Sequence, residues 1–285
     1  MAWIVDELRS RNRARKRAGV WQCVVVATAD LTPRMRRVVI AGEELRGFEN
    51  GQLPADAVKL ALPAAAAKTA PQLQPELTEG DTAPLYRAYT VRDYDPTTTH
   101  MTLDVLLHGD SPGSRWAREA EPGDRISWYG PRSDFYASPE ASWHLILGDE
   151  SALPAIAAIL ESLPRSTVAR VFVEVADETD ELSLTSPARA EITWLHRKGV
   201  PAGNSDLLER AVREMGPLRG TPQTWVAGEA GVVRTLRRYL LREQGLRRET
   251  VQASGYWRAG LDASQTDEAV LELARAATDD TSAAH

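Results

Sequence analysis

The chain has 285 residues, of which 43% are hydrophobic and 26% charged, and its formal net charge is −6. This composition is typical of a globular protein with room for two domains, and no apolar run approaches the roughly 20 residues that span a bilayer. The single cysteine, Cys23, excludes an internal disulfide or a four-thiolate cluster, and since the start lacks the pattern of a secretory signal we expect a cytoplasmic protein.

Residues 1–19 contain a densely basic run, RSRNRARKR at residues 9–17. Such a run could contact RNA or lipid headgroups, but it lacks interleaved aromatic residues for base stacking, and the whole chain is acidic. We interpret residues 1–19 as a solvated N-terminal arm and predict neither nucleic acid nor membrane as a partner.

Residues 20–138 have the pattern of short strands separated by turns. WQCVVVATADLTPRMRRVVIAG contains two β-branched runs divided by DLTP, and AVKLALP, YRAYTVRDY, MTLDVLLHG and DRISWYGP follow. This spacing predicts an antiparallel β-barrel. The low-complexity segment at residues 64–84 is predicted to be a surface loop.

The strand that contains RAYT, residues 87–90, carries a cation, an aromatic ring and a hydroxyl. Because side chains alternate along a strand, Arg87 and Tyr89 should point to one face and Thr90 to the other. The pattern suits a strand lying against a flat ligand with a charged tail. An edge strand with a solvated arginine and a half-buried tyrosine is the alternative.

Hydrophobic runs alternate with helical patterns over residues 139–262, beginning with WHLILGDESALPAIAAILESLP. This alternation predicts a doubly wound α/β domain with a parallel sheet. Apolar residues at Ala269, Val270, Leu273 and Ala277 predict an amphipathic C-terminal helix, followed by a tail, within residues 263–285.

RAYT resembles the Arg-x-Tyr-Ser/Thr signature of the ferredoxin–NADP reductase superfamily. Four further segments are similar, in the same order, to the siderophore-interacting proteins, a branch of flavin-dependent ferric-siderophore reductases: LDVLLHGDSPGSRWAREAEPGDRISWYGPRSDF, LGDESALPAIAAILESLP, WVAGEAGVVRTLRRYLL and SGYWRAG. The resemblance implies an FAD-binding barrel at residues 20–138, an NAD(P)H-binding domain at residues 139–262, and electron transfer from NAD(P)H through FAD to siderophore-bound Fe(III). A general NAD(P)H–flavin oxidoreductase and a non-catalytic ferric-siderophore binding protein are the alternatives.

The resemblance also implies roles for residues around the flavin. Tyr89 would stack on the isoalloxazine ring, Arg87 would meet the FAD pyrophosphate, and Thr90 would lie near flavin N5. A second FAD clamp would come from HGDSPGSRWA, where an anion would bind Ser114 and a helix start near Trp116 and Ala117, with His108 as a polar contact. Trp116 as core packing and His108 as a structural residue are the alternatives.

The nicotinamide nucleotide would lie over LGDESALPA and AGEAG, which contribute Asp149, Glu150, Ser151, Gly228 and Glu229. This segment lacks Gly-x-Gly-x-x-Gly, and the alternative is a helix capped by Asp149 or Ser151. Glu174 would favour NADH, whereas Arg197 and Lys198 would favour a 2′-phosphate, so the donor is open between NADH and NADPH. The C-terminal helix resembles an extension found in the subgroup that uses NADH or reduced ferredoxin.

Basic side chains draw in the anionic ferric complex in this family, and Lys59, Arg132 and Arg258 match those motif positions. Each could equally be a solvated surface charge. The sequence shows no His/Cys/Asp cluster with metal-ligand spacing, so we predict no resident metal. Because FAD carries the electrons, we also predict no catalytic side chain.

Overall fold

The structure is a computed structural model that describes residues 7, 8, 10, 12, 21–46, 48, 53–62 and 85–261. Most of the predicted N-terminal arm lies outside the described residues. The predicted surface loop at residues 64–84 and the predicted C-terminal helix at residues 263–285 lie outside them as well.

An antiparallel sheet of seven strands, in the order β4-β3-β7-β1-β2-β6-β5, forms the first half of the described chain. The strands are β1 (Trp21–Thr32), β2 (Met35–Ala41), β3 (Ala57–Leu62), β4 (Leu85–Thr90), β5 (Asp93–Asp95), β6 (His100–Leu106) and β7 (Arg125–Arg132). One helix, α1 (Pro112–Glu119), packs against them. Alternate residues of β3, such as Val58 and Leu60, enter one continuous apolar core with Trp128, and the predicted β-barrel is confirmed.

The second half is a parallel sheet of five strands, in the order β10-β9-β8-β11-β12. The strands are β8 (Trp143–Asp149), β9 (Val168–Val175), β10 (Arg189–His196), β11 (Pro222–Glu229) and β12 (Val251–Trp257), and the helices are α2 (Leu153–Ser162), α3 (Leu207–Glu214) and α4 (Ala230–Arg242). Separate apolar cores contain residues of α2 and of the α3–α4 pair. The predicted doubly wound domain is therefore confirmed.

None of the helices in the described ranges combines the length and the apolar character needed to cross a bilayer.

The turn between β1 and β2 lies later than the sequence pattern indicates. DLTP was expected to divide the two strands, but β1 continues through Thr32 and the turn consists of Pro33 and Arg34. Thr32 pairs directly with Met35, and the Arg36 guanidinium donates to the Asp30 carboxylate at 2.6 Å. Cross-strand pairing therefore extends to a two-residue connection whose first residue is proline.

Apolar packing and ion pairs hold the two sheets together. Met35 of β2 is buried in the same core as Phe135 and Ile146 of the second half. The Arg92 guanidinium makes two hydrogen bonds to the Glu161 carboxylate, at 2.6 and 2.7 Å. The edge of the barrel is thus tied directly to the last turn of α2.

The buried imidazole of His144 makes stability depend on pH. Burial lowers the pKa of His144 from its ordinary 6.5 to about 4. The folded protein therefore binds fewer protons than the unfolded chain between these values, so its stability falls as the pH drops from 6.5 towards 4. We expect a loss of about 3 kcal/mol across this range.

Urea unfolding of the wild type and His144→Gln at pH 7 and pH 4.5 tests this expectation. The variant should lose clearly less stability between the two pH values, because titrating carboxylates contribute equally to both proteins. An identical loss in both proteins would contradict the assignment.

Candidate functional site

Strand β4 presents its signature residues on two faces. Tyr89 pairs across the sheet with Val58 and Arg87 with Leu60, and both partners are buried in the barrel core. Thr90 pairs with Ala57 and lies on the other face. The structure thus shows the alternation that the sequence predicts.

Tyr89 offers a flat, half-buried ring beside the start of α1. Its ring centroid lies 6.3 Å from that of Trp116, with the planes tilted by 41°. A Cβ at Gly113 would overlap the Tyr89 hydroxyl, so this position accommodates the ring because it has no side chain. Burial raises the pKa of Tyr89 above its ordinary value, and the phenol stays neutral.

The Arg87 guanidinium is a candidate binding group for an anion. Its guanidinium donates to the backbone oxygen of Tyr86 at 2.9 Å. No carboxylate in the described ranges forms an ion pair with it, whereas Arg37 and Arg92 are paired with carboxylates. A guanidinium with no carboxylate partner in the described ranges, beside an aromatic ring, matches the diphosphate and ring system of a flavin dinucleotide.

The start of α1 is capped by serines and has no acidic residue in its first turn. Ser111 accepts a hydrogen bond from the Ser114 backbone nitrogen at 3.2 Å, and Pro112 occupies the first helical position. The Ser114 hydroxyl donates to the His108 oxygen at 3.0 Å and accepts from the His108 nitrogen at 2.9 Å. The Ser114 hydroxyl therefore links the first turn of α1 to the backbone of His108, at the beginning of the preceding loop.

Helix α1 begins earlier than predicted. We expected a helix start near Trp116 and Ala117, but the helix begins at Pro112, so both residues lie in its second turn. They are 8% and 0% exposed and belong to the barrel core, which matches the packing alternative for Trp116. The positive end of the helix dipole lies instead at Ser111–Gly113, where an anion would be stabilised.

His108 adds a polar group to this loop without adding charge. Its pKa lies below the ordinary value because of desolvation and the nearby Arg118. Its Nε2 lies 3.4 Å from the Ser111 hydroxyl. At neutral pH the imidazole can exchange hydrogen bonds with a ligand but does not neutralise a phosphate.

Asp149 connects three strand ends of the parallel sheet. Its buried carboxylate accepts from the backbone nitrogens of Ser151 and Glu229 at 2.9 Å each, from the Ser151 hydroxyl at 2.5 Å and from Trp257 Nε1 at 2.8 Å. Gly228 has φ 144°, and a Cβ there would lie 2.6 Å from the carboxylate. Asp149 therefore caps the 3₁₀ turn Glu150–Ala152 that leads into α2, whereas Ser151 donates to Asp149 and α2 itself has no side-chain cap.

Glu229 fills the start of α4 with its own carboxylate. It accepts from the backbone nitrogens of Gly231 at 2.6 Å and Val232 at 2.9 Å. These N–H groups are therefore occupied, in contrast to the acid-free start of α1. Asp149 and Glu229 are the last residues of the neighbouring strands β8 and β11. Nucleotide contacts at these positions stay a prediction.

Glu150, Glu174 and Arg197 meet in one buried ion cluster. Arg197 makes two hydrogen bonds to Glu150, at 2.5 and 2.6 Å, and lies 3.4 Å from Glu174. Glu174, which was expected to favour NADH, and Arg197, which was expected to favour a 2′-phosphate, are thus in contact with each other.

Two of the three predicted substrate cations, Lys59 and Arg132, lie on the neighbouring strands β3 and β7. Ala57 pairs with both Thr90 and Arg132, and Lys59 follows two positions along the same strand. The Tyr256 hydroxyl pairs with Thr90. Arg258 is the first residue after β12, and its grouping with Lys59 and Arg132 stays a prediction.

Aromatic rings accompany these cations. Lys59 Nζ lies 6.0 Å from the centroid of the Tyr129 ring, and Tyr129 packs edge-on against Tyr86 with centroids 5.4 Å apart. Tyr86, Tyr129 and Tyr256 were not predicted as site residues. The alternation of side chains along β4 and β7 could have identified Tyr86 and Tyr129, because it places both of these rings on the same face as Lys59.

Within the described ranges, no three His, Cys, Asp or Glu side chains are arranged to hold a metal ion.

Two family models match the sequence. The model described as siderophore-interacting FAD-binding domain covers residues 24–135, and the one described as siderophore-interacting protein covers residues 141–260. Ferric vibriobactin reductase ViuB of Vibrio cholerae is 33% identical over 239 residues, which cover 81% of this chain and 86% of that protein.

Solved structures show the same fold. A siderophore utilization protein from T. fusca has a TM-score of 0.78 and 39% identity, over 87% of this chain and 96% of the other. A ferredoxin reductase of carbazole 1,9a-dioxygenase has a TM-score of 0.59 and 16% identity, over 84% and 70% of the two chains, and it shares the fold alone.

Replacing Asp149 with alanine should destabilise the protein. The buried N–H groups of Glu229 and Trp257 would lose their acceptor, so we expect a loss of about 2–4 kcal/mol in the free energy of unfolding. Denaturant unfolding measures this loss. Ser151→Ala, which removes one donor and leaves the carboxylate in place, should cost about 1 kcal/mol, and equal losses in the two variants would refute the role of Asp149.

Proposed function

The chain belongs to the siderophore-interacting protein family, and from this premise we propose that it is an FAD-dependent ferric-siderophore reductase that takes its electrons from NAD(P)H. The observation that carries the proposal is that the Tyr89 ring lies at the acid-free start of α1 and that Arg87, on the same face of β4, has no carboxylate partner among the described residues. The relative named as a ferric vibriobactin reductase supports the same reaction class.

FAD fits these residues by shape and charge. The Tyr89 ring would cover one face of the isoalloxazine, and Arg87 with the start of α1 would neutralise the diphosphate. His108 would remain a neutral hydrogen-bonding partner at the edge of the cofactor. When bound, FAD supplies a carrier that accepts the two electrons of a hydride and releases them one at a time.

The overall reaction is balanced without a protein acid or base. One NAD(P)H reduces two ferric complexes and yields NAD(P)⁺, two Fe(II) and one proton. Fe(II) is larger and softer than Fe(III), so the hard oxygen donors of a siderophore hold it less firmly. The chain's own contribution is to bind both partners, orient them and supply the electrostatic field.

Lys59, Arg132 and Arg258 would attract an anionic ferric complex to the side of the barrel that carries Thr90. The Arg132 guanidinium lies 3.2 Å from the Asp134 carboxylate, so part of its charge is already compensated. Tyr86 and Tyr129 would provide apolar contact area for a bulky ligand. We place the reaction in the cytoplasm, where nicotinamide nucleotides are available as donors.

Arg87 should control the affinity for FAD. A charge-assisted contact to phosphate contributes roughly 1.5–3 kcal/mol, so Arg87→Ala should weaken FAD binding by about ten- to a hundredfold. Fluorescence titration of the apoprotein with FAD and with riboflavin measures this effect. Riboflavin, which lacks the diphosphate, should bind the variant and the wild type alike, and an equal loss for both ligands would contradict the phosphate role.

Removing a substrate cation should slow iron reduction while flavin reduction continues. We expect Lys59→Ala and Arg258→Ala to lower kcat/KM for an anionic ferric siderophore by roughly three- to tenfold at low salt, and less at high salt, because salt screens the attraction. NADH-dependent reduction of a neutral dye should stay unchanged.

Arg165→Ala, at an exposed arginine in the connection between α2 and β9, is the matched control and should change neither activity. A general flavin reductase would show parallel losses for dye and ferric complex. A binding protein without turnover would show no NADH oxidation with either acceptor.

A further inference from the structure

The Glu150–Arg197–Glu174 cluster lies where the parallel sheet would meet a nucleotide. Glu150 follows the end of β8, Glu174 is the penultimate residue of β9, and Arg197 follows the end of β10. Asp149 and Glu174 are direct partners across β8 and β9. Ligands of open α/β sheets bind in the crevice outside these carboxyl ends.

Arg197 is held by two carboxylates in a nearly closed environment. The Arg197 Nη1 and Nη2 atoms lie 2.6 and 2.5 Å from the two oxygens of Glu150, a bidentate pair, and Nη1 lies 3.4 Å from Glu174. The side chains of Arg197, Glu150 and Glu174 are 4%, 12% and 5% exposed. The Arg197 backbone nitrogen donates to Val175 at 3.0 Å and fixes the residue against β9.

The geometry of this pair resembles the geometry with which arginine binds phosphate. A guanidinium fork recognises the two oxygens of a carboxylate or of a phosphate in the same bidentate manner. Glu150 therefore occupies the fork that a 2′-phosphate would need. A 2′-phosphate would have to displace this carboxylate from a buried contact.

The surrounding charge also opposes a second anion. Asp149, Glu150 and Glu174 place three carboxyl groups around one guanidinium. Burial raises the pKa of Glu174, which is the expected response of a carboxyl group in a desolvated, acid-rich site. A 2′-hydroxyl brings no charge and meets no such repulsion.

We propose that Glu150 is a specificity-determining residue that acts as an internal anion on Arg197 and excludes the 2′-phosphate, so that NADH rather than NADPH is the nucleotide donor. The inference rests on the proposed function, because it selects between the two nicotinamide donors named there. Glu174 supports Glu150 by holding the same guanidinium from the β9 side. Glu150 is thus a positioning residue, since it acts through Arg197.

Lys198 is the competing cation in this region. It is exposed, has φ 49°, and lies next to Arg197 in the chain. A single ammonium on a flexible stem binds phosphate as a point charge, without the geometry of a fork. Lys198→Ala should therefore change the nucleotide preference less than a change at Glu150 does.

Binding of nucleotide fragments to the FAD-loaded protein separates the two donors without turnover. Calorimetric titration with 5′-ADP and with 2′,5′-ADP measures the preference directly. The wild type should bind 5′-ADP at least roughly tenfold more tightly, because the 2′-phosphate meets carboxylates. Glu150→Gln, which keeps the side-chain shape and removes the charge, should shift the ratio by about tenfold towards 2′,5′-ADP. The matched control Glu191→Gln, at an exposed glutamate near the start of β10, should leave the ratio unchanged.

Anaerobic reduction of the bound flavin by NADH and by NADPH gives a second readout, in which the same ratio should appear. A wild type that prefers 2′,5′-ADP, or binds both fragments equally, would overturn the inference and leave the proposed reductase intact. An unchanged ratio in Glu150→Gln would overturn the role of Glu150. If neither nucleotide reduces the flavin and neither fragment binds, the nicotinamide donor of the proposed function is itself wrong, and this inference is wrong with it.

Discussion

Asp149 is a buried carboxylate that accepts four hydrogen bonds at the point where β8, β11 and β12 end. A buried charge is tolerated when it is surrounded by donors, and here the donors come from three separate strands and turns. The carboxylate therefore ties together three strand ends at the carboxyl edge of the parallel sheet. Glu229 repeats the arrangement at the start of α4. Two of the N–H positions at this edge, the turn before α2 and the start of α4, are thus filled by the sheet's own acids.

The barrel differs from the parallel sheet in the charge around its helix start. The start of α1 has no acid in its first turn, and Arg87 has no carboxylate partner within the described ranges. Positive potential is available on the barrel side, where the proposed FAD diphosphate would lie. On the sheet side, the buried guanidinium of Arg197 is held by Glu150 and Glu174. Under the proposed function, this asymmetry would let the barrel side hold the FAD diphosphate while the sheet side discriminates between donors.

The sequence predicts those features that depend on local periodicity. Alternation placed Arg87 and Tyr89 on one face and Thr90 on the other, and alternating apolar runs and helices predicted the parallel sheet correctly. The start of α1 was misplaced because the serine cap and the proline at its first position were not recognised as a helix signal. The pairing of Glu150 with Arg197 spans 47 residues, and no local pattern encodes such a contact. The meeting of Tyr256 with Thr90 likewise depends on how the two sheets pack.

Anaerobic reoxidation of the reduced, FAD-loaded protein by a ferric siderophore tests the central claim most directly. Reduction with dithionite makes the experiment independent of the nucleotide donor. The account predicts that the blue absorption band of the flavin returns on mixing and that a chelator traps two Fe(II) for each flavin. A flavin that stays reduced in the presence of excess ferric siderophore would contradict it.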